Sequence, residues 1–485
     1  MHTSSRTMFS VLLISSFLML GISRCQKDSM NTDPGDVPDT TSMVTGKKIS
    51  YFITTGDQTS LFESQPTVQF QQTENGYPDI SVDTTQVFQT VDGFGFTLTD
   101  GSALLIDGLP EQLQTELLQD LFGRENGGIG ISYLRVSIGA SDLSDTVYTY
   151  NDLPPGETDM DLDQFSLRKD RSKVIPVLKK ILAINPDLQI MGSPWTAPIW
   201  MKDNENWVGG SLLPEYYEVY ASYFVKYIEA MAAEGIRVNA ITPQNEPLHG
   251  GNNPSMVMTA TEQANFIKNH LGPAFQAHNI DTRIVIYDHN ADRVDYPLTV
   301  LGDPEARQYI DGSAFHLYGG DIGALSRVRE AFPEKNLYFT EQYVSSEGSF
   351  AGDLRWHMKN VIIGSMRNWC RVALEWNLAS DPDHSIHTPG GCTVCKGGVT
   401  IISGYTKNVG YYIVAHASGF VLPGSVRVAS NISGSLHNVA FVRPDGKKVL
   451  IVLNDDDRQQ SFNIRYQGLR ALVTMNGGSV GTFVW

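Results

Sequence analysis

The sequence predicts an α/β protein: a (β/α)₈ TIM barrel with a side β-sandwich formed by strands from both ends of the chain. Three observations lead to this fold. Eight short apolar runs occur through the middle of the chain, helical patterns separate them, and both ends instead alternate apolar and polar residues between turns. Strands that alternate with helices imply βα units and a parallel sheet, and eight such strands close a barrel.

The start of the chain has the pattern of an export signal. Arg6 precedes an apolar run over residues 8–20 that is too short to cross a bilayer as a mature helix but suits a secretory signal. The polar stretch after it is rich in Asp, Thr, Ser and Pro, a composition typical of a flexible tether. We therefore predict a signal peptide over residues 1–25 and a linker over residues 26–46.

Cys25 resembles the lipidated cysteine of bacterial lipoproteins, and the three residues that follow it resemble the export signal of surface lipoproteins. Arg24 departs from the small residue that usually precedes such a cysteine. The resemblance implies lipidation at Cys25 and a place at the cell surface or outer membrane, with membrane contact only through the lipid anchor. A periplasmic or secreted protein without the lipid is the alternative.

The two ends of the chain are predicted to form one β-sandwich. Residues 47–86 alternate apolar and polar side chains, as in Ile49, Tyr51 and Ile53, and the same texture returns over residues 416–485. Asp-Gly and Asn-Gly pairs in the second segment are turn signals. Two β-rich ends around a different middle suggest that they pack together beside a barrel over residues 87–415.

The barrel strands are predicted from eight apolar runs, in chain order "VDGFGFTLT", "GISYLRVSIG", "LQIMGSPWT", "VNAITPQNEP", "TRIVIYDHN", "GSAFHLYGG", "KNLYFTEQY" and "RVALEWNLA". Helical patterns between them include "EQLQTELLQDLF", "KVIPVLKKILAI" and "EYYEVYASYFVKYIEAMAAEG", with Gly235 as a C-cap after the last of these. A doubly wound open sheet is the alternative. It would place a Gly-rich phosphate turn after the first strand, and "GFGFTL" does not fit that motif.

Charge and cysteine content limit the partners. The net charge of -17 argues against nucleic acid, which needs a basic surface. Cys392 and Cys395 follow His384 and His387 closely, a spacing that superficially suits zinc. A local disulfide or two thiols is preferred in an exported chain. No P-loop, Ser-His-Asp order or HExxH helix occurs, so we expect no cofactor and no metal.

Polar and aromatic residues gather where the predicted strands end, and in such a barrel the carboxyl ends of the strands form the active site. Glu246 ends strand four, and Glu341 ends strand seven, nearly opposite across the barrel mouth. Cleavage of a glycosidic bond needs two carboxyl groups on one cleft. The two glutamates are therefore the candidate pair.

Several motifs resemble known glycosidases. "ITPQNEP" and "LYFTEQ" resemble the acid/base and nucleophile strands of clan A retaining enzymes. "VDGFGFTLTDGSA", "YLRVSIGASDLS", "GSPWTAPIWMK" and "AHASGFVLPGSVRV" resemble glycoside hydrolase family 30, which contains glucosylceramidases, β-1,6-glucanases and some xylan-active enzymes. The resemblance runs from about Gln89 to Ser430, and Phe96-Thr97 departs from the family's "GFGGA" run.

The resemblance implies a retaining mechanism, with Glu246 as a protonated acid/base and Glu341 as an ionised nucleophile in the resting protein. It implies that Asn245 holds the 2-hydroxyl of the sugar. It also implies that five further residues line the glycone subsite: Arg135, Asp142, Trp195, Tyr318 and Trp376. His316 is open between a histidine of the barrel core and a direct substrate contact.

"PQNEPLHGGNNPS", "DGSAFHLYGG" and the Gly-Gly-Cys loop resemble the bacterial β-1,6-glucanase branch of the family. This implies a monomeric endo-acting enzyme on β-1,6-glucan. Two alternatives stay open: an exo-acting β-glucosidase or glucosylceramidase, and a non-catalytic surface protein that binds glycans.

Overall fold

The computed structural model describes residues 44–125 and 127–485. The predicted signal peptide, Cys25 and most of the predicted linker lie outside the described residues. Within the described part of the chain, no helix is both long enough and apolar enough to cross a membrane.

The described strands fall into an N-terminal group, a barrel group, short rim strands and a C-terminal group. In chain order they are β1 (Val44–Thr54), β2 (Leu61–Gln71), β3 (Asp79–Thr90), β4 (Gly93–Leu98), β5 (Tyr133–Ser137), β6 (Gln189–Ser193), β7 (Ala240–Ile241), β8 (Arg283–Asn290), β9 (Ile310–His316), β10 (Asn336–Glu341), β11 (Val344–Ser345), β12 (Cys370–Asn377), β13 (Ala379–Ser380), β14 (Cys395–Lys396), β15 (Val399–Ile401), β16 (Tyr405–Lys407), β17 (Val426–Ser430), β18 (Leu436–Val442), β19 (Lys448–Asn454), β20 (Gln460–Tyr466), β21 (Leu469–Met475) and β22 (Val480–Val484).

The α-helices are α1 (Asp100–Asp107), α2 (Glu111–Phe122), α3 (Arg168–Arg171), α4 (Val174–Ile184), α5 (Tyr217–Ala233), α6 (Ala260–Phe266), α7 (Gly272–Ala277), α8 (Asp295–Gly302), α9 (Pro304–Arg307), α10 (Ala324–Ala331), α11 (Phe350–His357), α12 (Ser365–Arg367) and α13 (Val409–Ser418). Two 3₁₀ turns lie at Ile199–Met201 and Pro214–Tyr216, and π-helical turns at Ile267–Leu271 and Met358–Gly364 join α6 to α7 and α11 to α12.

Eight parallel strands close the predicted barrel, in the order β10, β12, β4, β5, β6, β7, β8, β9. Each strand corresponds to one of the eight apolar runs, so the barrel prediction is confirmed. Side chains that point inward fill the barrel axis with a packed core of Tyr133, Met191, Ala240, Val285, Ala314, Tyr338, Val372 and Leu374. Because this interior is solid, a ligand has access only at the ends of the barrel.

The second domain joins both ends of the chain, as predicted. Nine strands, β1 to β3 and β17 to β22, form one closed hydrogen-bonded ring around its own apolar core. β1 pairs antiparallel with β22, and β3 pairs with both β17 and β20. The N-terminal strands therefore complete a domain that the C-terminal strands begin.

Three element bounds differ from the predicted domain limits. β1 begins at Val44, before residue 47, and β3 continues to Thr90, beyond residue 86. The helix α13 runs to Ser418, across the predicted barrel end at residue 415, and all ten of its residues are buried. Helix ends are predicted from the alternation of a polar and an apolar face. This helix has no polar face, so its end cannot be predicted in that way.

The aromatic residues of α5 face inward, as their helical spacing predicts. Tyr220, Tyr223 and Tyr227 are fully buried. Tyr220 packs on Tyr223 at 5.7 Å, and Tyr150 stacks on both Tyr223 and Tyr227 at 5.9 Å and 5.7 Å. Gly235 follows the helix with φ of 80°, a left-handed conformation that suits glycine at a helix end. Buried aromatic contact of this kind fixes the helix against the barrel, and so fixes the strand ends at the rim.

Candidate active site

The two predicted carboxyl groups face one cleft at the C-terminal end of the barrel. Glu341 is the last residue of β10, and Glu246 lies in the loop that follows β7. Their exposed fractions are only 6% and 8%. The cleft has a volume of about 190 Å³ and is lined by Asp142, Trp195, Glu246, Asn252, Tyr318, Glu341, Tyr343, Trp376, Cys392 and Cys395.

His316 lies between the two carboxyl groups. Its Nδ1 atom is 3.2 Å from Oε1 of Glu246 and 3.8 Å from Oε1 of Glu341. An oxygen of each glutamate and a nitrogen of His316 all lie within 4.8 Å of one another. These three side chains could in principle hold a metal ion, but Arg135 already donates to Glu341, and a guanidinium cation beside the site disfavours a second cation.

Arg135 holds several polar side chains of the site in place. Its side chain has no exposed surface, and it donates hydrogen bonds to Glu341 Oε2 at 2.6 Å, Asp288 Oδ2 at 2.8 Å and Asn245 Oδ1 at 2.6 Å. The guanidinium carbon also lies 4.8 Å and 5.6 Å from the ring centroids of Trp195 and Trp376. Arg135 thus contacts the carboxylates and indoles of the site, while its place in the glycone subsite stays a prediction.

Asp288 is the buried anion at the centre of this network, and the sequence argument did not select it. Five side chains donate to its carboxylate: Arg135, Ser193, Thr242, Thr340 and His316. Burial opposes the charge, but Arg135 and these hydrogen bonds hold the pKa of Asp288 well below its usual range. A permanently ionised Asp288 fixes the positions of Arg135 and His316.

His316 is a buried histidine of the network. It has no exposed surface, which favours the alternative of a histidine in the barrel core. Nε2 faces Asp288 Oδ1 at 3.1 Å, which leaves Nδ1 for Glu246. Burial disfavours its charge, yet the surrounding carboxylates raise the pKa of His316 to about 9. His316 and Glu246 therefore share a proton at neutral pH.

The backbone at the site adopts conformations that are costly for residues with a side chain. Glu246 has φ of 45° and Asp288 has φ of 61°, and the Glu246 N–H donates to the Asp288 carbonyl at 2.9 Å. Left-handed φ in non-glycine residues is uncommon and persists where surrounding contacts determine it. Here the strained backbone turns the Glu246 carboxyl toward the cleft.

The net pKa shifts of the two glutamates have opposite directions. Burial raises the pKa of Glu341, although His316 and Arg135 favour its ionised form. Burial also acts to raise the pKa of Glu246, but the hydrogen bond and charge of His316 outweigh it and lower that pKa. The net shifts favour the ionised form of Glu246 and the protonated form of Glu341, whereas the resemblance implied a protonated Glu246 and an ionised Glu341.

The remaining predicted residues form the walls. Trp195 and Trp376 pack at 5.4 Å, and the Tyr318 hydroxyl donates to Glu341 Oε1 at 3.0 Å. The Asp142 carboxyl lies in the wall, where burial and the charges of the glutamates raise its pKa to about 7. Asn245 is buried beside Glu246, with its amide oxygen directed to Arg135. Flat rings beside carboxyl groups suit the apolar face and hydroxyls of a sugar.

Two lining residues, Asn252 and Tyr343, were not selected from the sequence, whereas a local disulfide at Cys392 and Cys395 was one of the two preferred alternatives. Asn252 places Nδ2 3.4 Å from Glu246 Oε2, and Tyr343 packs on Tyr318 at 5.4 Å. Cys392 and Cys395 form a disulfide, which leaves neither sulfur as a thiolate for zinc. The position of Tyr343 directly after "FTEQ" was the available signal for that residue.

Comparisons with known proteins identify the family of this chain. Residues 91–421 match the glycosyl hydrolase family 30 TIM-barrel domain, and residues 424–483 match the family's beta sandwich domain. The chain is 34% identical over 394 residues to the endo-1,6-beta-D-glucanase neg1 of Aspergillus fumigatus, covering 76% of this chain and 78% of that enzyme.

Two further relatives extend the comparison. The chain is 32% identical over 434 residues to the lysosomal acid glucosylceramidase of Mus musculus, covering 82% of this chain and 81% of that enzyme. The solved structure of the endo-beta1,6-glucanase BT3312 superposes with a TM-score of 0.83 at 32% identity, covering 90% of this chain and 99% of that one.

Proposed function

This chain belongs to glycosyl hydrolase family 30, and from that membership we propose that it is an endo-acting β-1,6-glucanase that works by double displacement with retention of anomeric configuration. As a member of that family it is a glycosyl hydrolase that acts on a carbohydrate substrate. The catalytic roles, the stereochemistry and the linkage are the proposal.

The short separation of the two carboxyl groups carries the mechanistic part. One oxygen of Glu246 and one of Glu341 lie within 4.8 Å of each other. Retaining glycosidases place their carboxyls about 5 to 5.5 Å apart, whereas inverting enzymes need roughly 6.5 to 9.5 Å to admit a water. The spacing therefore favours direct attack by one carboxylate on the anomeric carbon.

The contacts of each glutamate favour one assignment of roles. Glu341 accepts from Arg135 and Tyr318, which hold both oxygens of a nucleophile in place. Glu246 shares a proton with His316, so it can receive that proton and deliver it to the leaving oxygen. An ester then forms between Glu341 and the sugar, and Glu246, now ionised, takes a proton from the water that breaks it.

The linkage and the endo action are inferred from relatives. The Aspergillus fumigatus enzyme and BT3312 are both endo-β-1,6-glucanases, at 34% and 32% identity. Their similarity extends over 76% and 90% of this chain. An exo-acting glucosylceramidase is the second candidate, because the Mus musculus enzyme is similar over 82% of the chain.

Product analysis separates these candidates. We expect pustulan, a β-1,6-glucan, to be cleaved first to oligosaccharides of mixed length, with β-configured reducing ends in early proton NMR spectra. Release of glucose alone, or turnover of glucosylceramide but not pustulan, would favour the exo-acting alternative. Early α-anomers would overturn retention. Binding of pustulan without turnover, unchanged in Glu341→Gln, would indicate a glycan-binding protein.

We also propose export and lipid anchoring through Cys25, on the basis of the sequence motif alone. Radiolabelled palmitate should label the full-length chain in a bacterial host, and Cys25→Ala should abolish the label. A label that persists in Cys25→Ala would contradict the anchor.

A further inference from the structure

The Cys392–Cys395 disulfide closes a turn at the wall of the cleft. Both cysteines line the cleft that holds the two glutamates, Cys395 buried and Cys392 half-buried. The sulfurs are joined across a sequence separation of three residues. The catalytic scheme proposed above has no role for this turn, so its position needs a separate account.

The disulfide packs against the sugar-facing indoles. Cys395 forms an apolar cluster with Leu143, Trp195 and Trp376, and Cys392 lies at the edge of that cluster. The same indoles contact Arg135. Movement of the turn would therefore change the position of both rings that form the walls of the cleft.

The segment from Thr388 to Cys395, which ends in the disulfide-closed turn, holds Asp142 from two directions. The backbone N–H of Cys392 donates to the Asp142 carboxyl, and the N–H of Thr388 donates to the Asp142 carbonyl at 2.9 Å. The approach is so close that a Cβ added to Gly391 would lie 2.3 Å from that carbonyl oxygen. The disulfide-closed turn thus contacts the carboxyl of Asp142, and the residues just before it contact the backbone.

Further contacts join the turn to two other loops of the rim. Thr388 Oγ1 donates to the Asn253 carbonyl, and Asn253 Nδ2 donates to the Pro389 carbonyl at 3.1 Å. Ser346 N–H donates to the Val394 carbonyl at 2.8 Å. The segment from Thr388 to Cys395 therefore connects the loops after β5, β7 and β11.

We propose that the disulfide-closed turn is a specificity-determining wall, which positions Asp142 and the paired indoles to bind the glycone sugar. This inference rests on the proposed function, because it concerns the same cleft. Neither cysteine contacts the Glu246–Glu341 pair through a hydrogen bond shown by the structure. Opening of the turn should therefore weaken sugar binding while the carboxyl pair stays intact.

The test compares the oxidised protein, the protein reduced with dithiothreitol, and a Cys392→Ser/Cys395→Ser double variant. Dithiothreitol supplies the two electrons and two protons that convert the disulfide into two thiols, and is itself oxidised to a cyclic disulfide. Cys370→Ala is the matched control, because Cys370 is a free, buried cysteine at the other end of β12. Circular dichroism spectra establish that each protein is folded.

Binding of 1-deoxynojirimycin, a glucose mimic, is measured by tryptophan fluorescence, and kinetics are measured on whichever glycan the oxidised protein cleaves. We expect Kd and KM to rise about tenfold on reduction and in the double variant, as for loss of one hydrogen bond to a charged group, with kcat within about threefold. Cys370→Ala should bind as the oxidised protein does, and dithiothreitol should not change the double variant further.

Unchanged Kd and KM after reduction would overturn the proposal, as would an equal loss in kcat. Failure of the proposed function gives a different result. If the oxidised protein binds the mimic but cleaves no β-1,6-glucan, the proposed substrate is wrong. The effect of reduction on binding of the mimic then still tests the role of the turn. Absence of binding to the oxidised protein counts against both.

Discussion

Arg135 and Glu341 form a buried ion pair, with 2.6 Å between Nη1 and Oε2 and exposed fractions of 0% and 8% for the two side chains. The same guanidinium neutralises Asp288. One cation thus neutralises two buried anions. Because one of them is Glu341, loss of Arg135 should affect both stability and activity.

Replacement of Arg135 by methionine should therefore reduce stability and activity together. Removal of one partner of a buried pair typically costs about 3 to 5 kcal/mol, because the remaining charge stays buried. We expect a loss of this size in urea denaturation, and at least a hundredfold loss in kcat/KM.

Arg371→Met is the control for that experiment. Arg371 pairs with Asp92 at the opposite end of the barrel, and Arg283 lies 3.2 Å from the same carboxylate. This variant should lose less stability and retain its kcat/KM. Equal effects of both variants would contradict a special role for Arg135.

The two glutamates should respond differently to the leaving group. Glu341→Gln should be inactive on every substrate, because no nucleophile remains. Glu246→Gln should lose about 10² to 10⁴ in kcat/KM on glucans, yet retain cleavage of any aryl glycoside the enzyme accepts, whose leaving group needs no proton. Steady-state kinetics on both substrates check this, and the reverse pattern would exchange the two roles.

His316 should determine the alkaline side of the pH profile. Its pKa is raised to about 9, so the His316–Glu246 pair keeps its proton up to that pH. In His316→Gln the proton belongs to Glu246 alone, and a carboxyl loses it at lower pH. The alkaline limb of kcat/KM should move downward in pH, and an unchanged limb would show that His316 has no part in holding the proton.

Asp170 should make stability depend on pH. Tyr148 and Tyr150 donate to it, but burial raises its pKa from 3.8 to about 7. Folding therefore favours the protonated form, and this contribution is complete below pH 3.8 and lost as pH rises through about 7. Relative to Asp170→Asn, the wild-type free energy of unfolding should fall by up to about 1.4 kcal/mol per pH unit in that window.

Urea denaturation of wild type and Asp170→Asn at several pH values measures this difference. A difference that stays constant with pH would show that burial does not shift the pKa of the Asp170 carboxyl.

Gly391→Ala should raise KM without a matching loss in kcat. The new Cβ would lie 2.3 Å from the Asp142 carbonyl oxygen, so the turn or Asp142 must move. We expect an increase of about tenfold, similar to the loss of a hydrogen bond to the Asp142 carboxyl. Gly404→Ala, whose Cβ would meet nothing within 4 Å, should leave KM unchanged, and equal KM values for both variants would argue against close contact at Gly391.

The sequence predicted the strand ends well, because parallel strands of a closed barrel must present their last residues at one rim. Glu341 at the end of β10 and Trp376 near the end of β12 follow directly. The degree of burial of each side chain was not predictable. Arg135 lies on an inward-facing strand position, but only the packed structure shows that indoles and carboxylates cover it completely.

Asp288 escaped prediction for a different reason. Period-two alternation is the signal for which side chains of a strand point inward, and β8 breaks it. Tyr287 and Asp288 have φ of 75° and 61°, and the pairing of β8 with β9 shifts register between Tyr287 and His289. An irregular backbone changes which of Asp288, His289 and Asn290 faces the barrel axis. The amino-acid composition of the strand does not indicate this irregularity.

The pairing of β1 with β22 has a consequence for biosynthesis. Ser50 donates to the Val484 carbonyl across 434 residues of sequence, so the β-sandwich cannot close until β22 has left the ribosome. Contacts between residues so far apart in the sequence form late and slowly during folding. The edge of β1 that pairs with β22 therefore stays unpaired while the barrel folds. Unpaired strand edges promote aggregation, so we expect chaperones to bind this segment during synthesis.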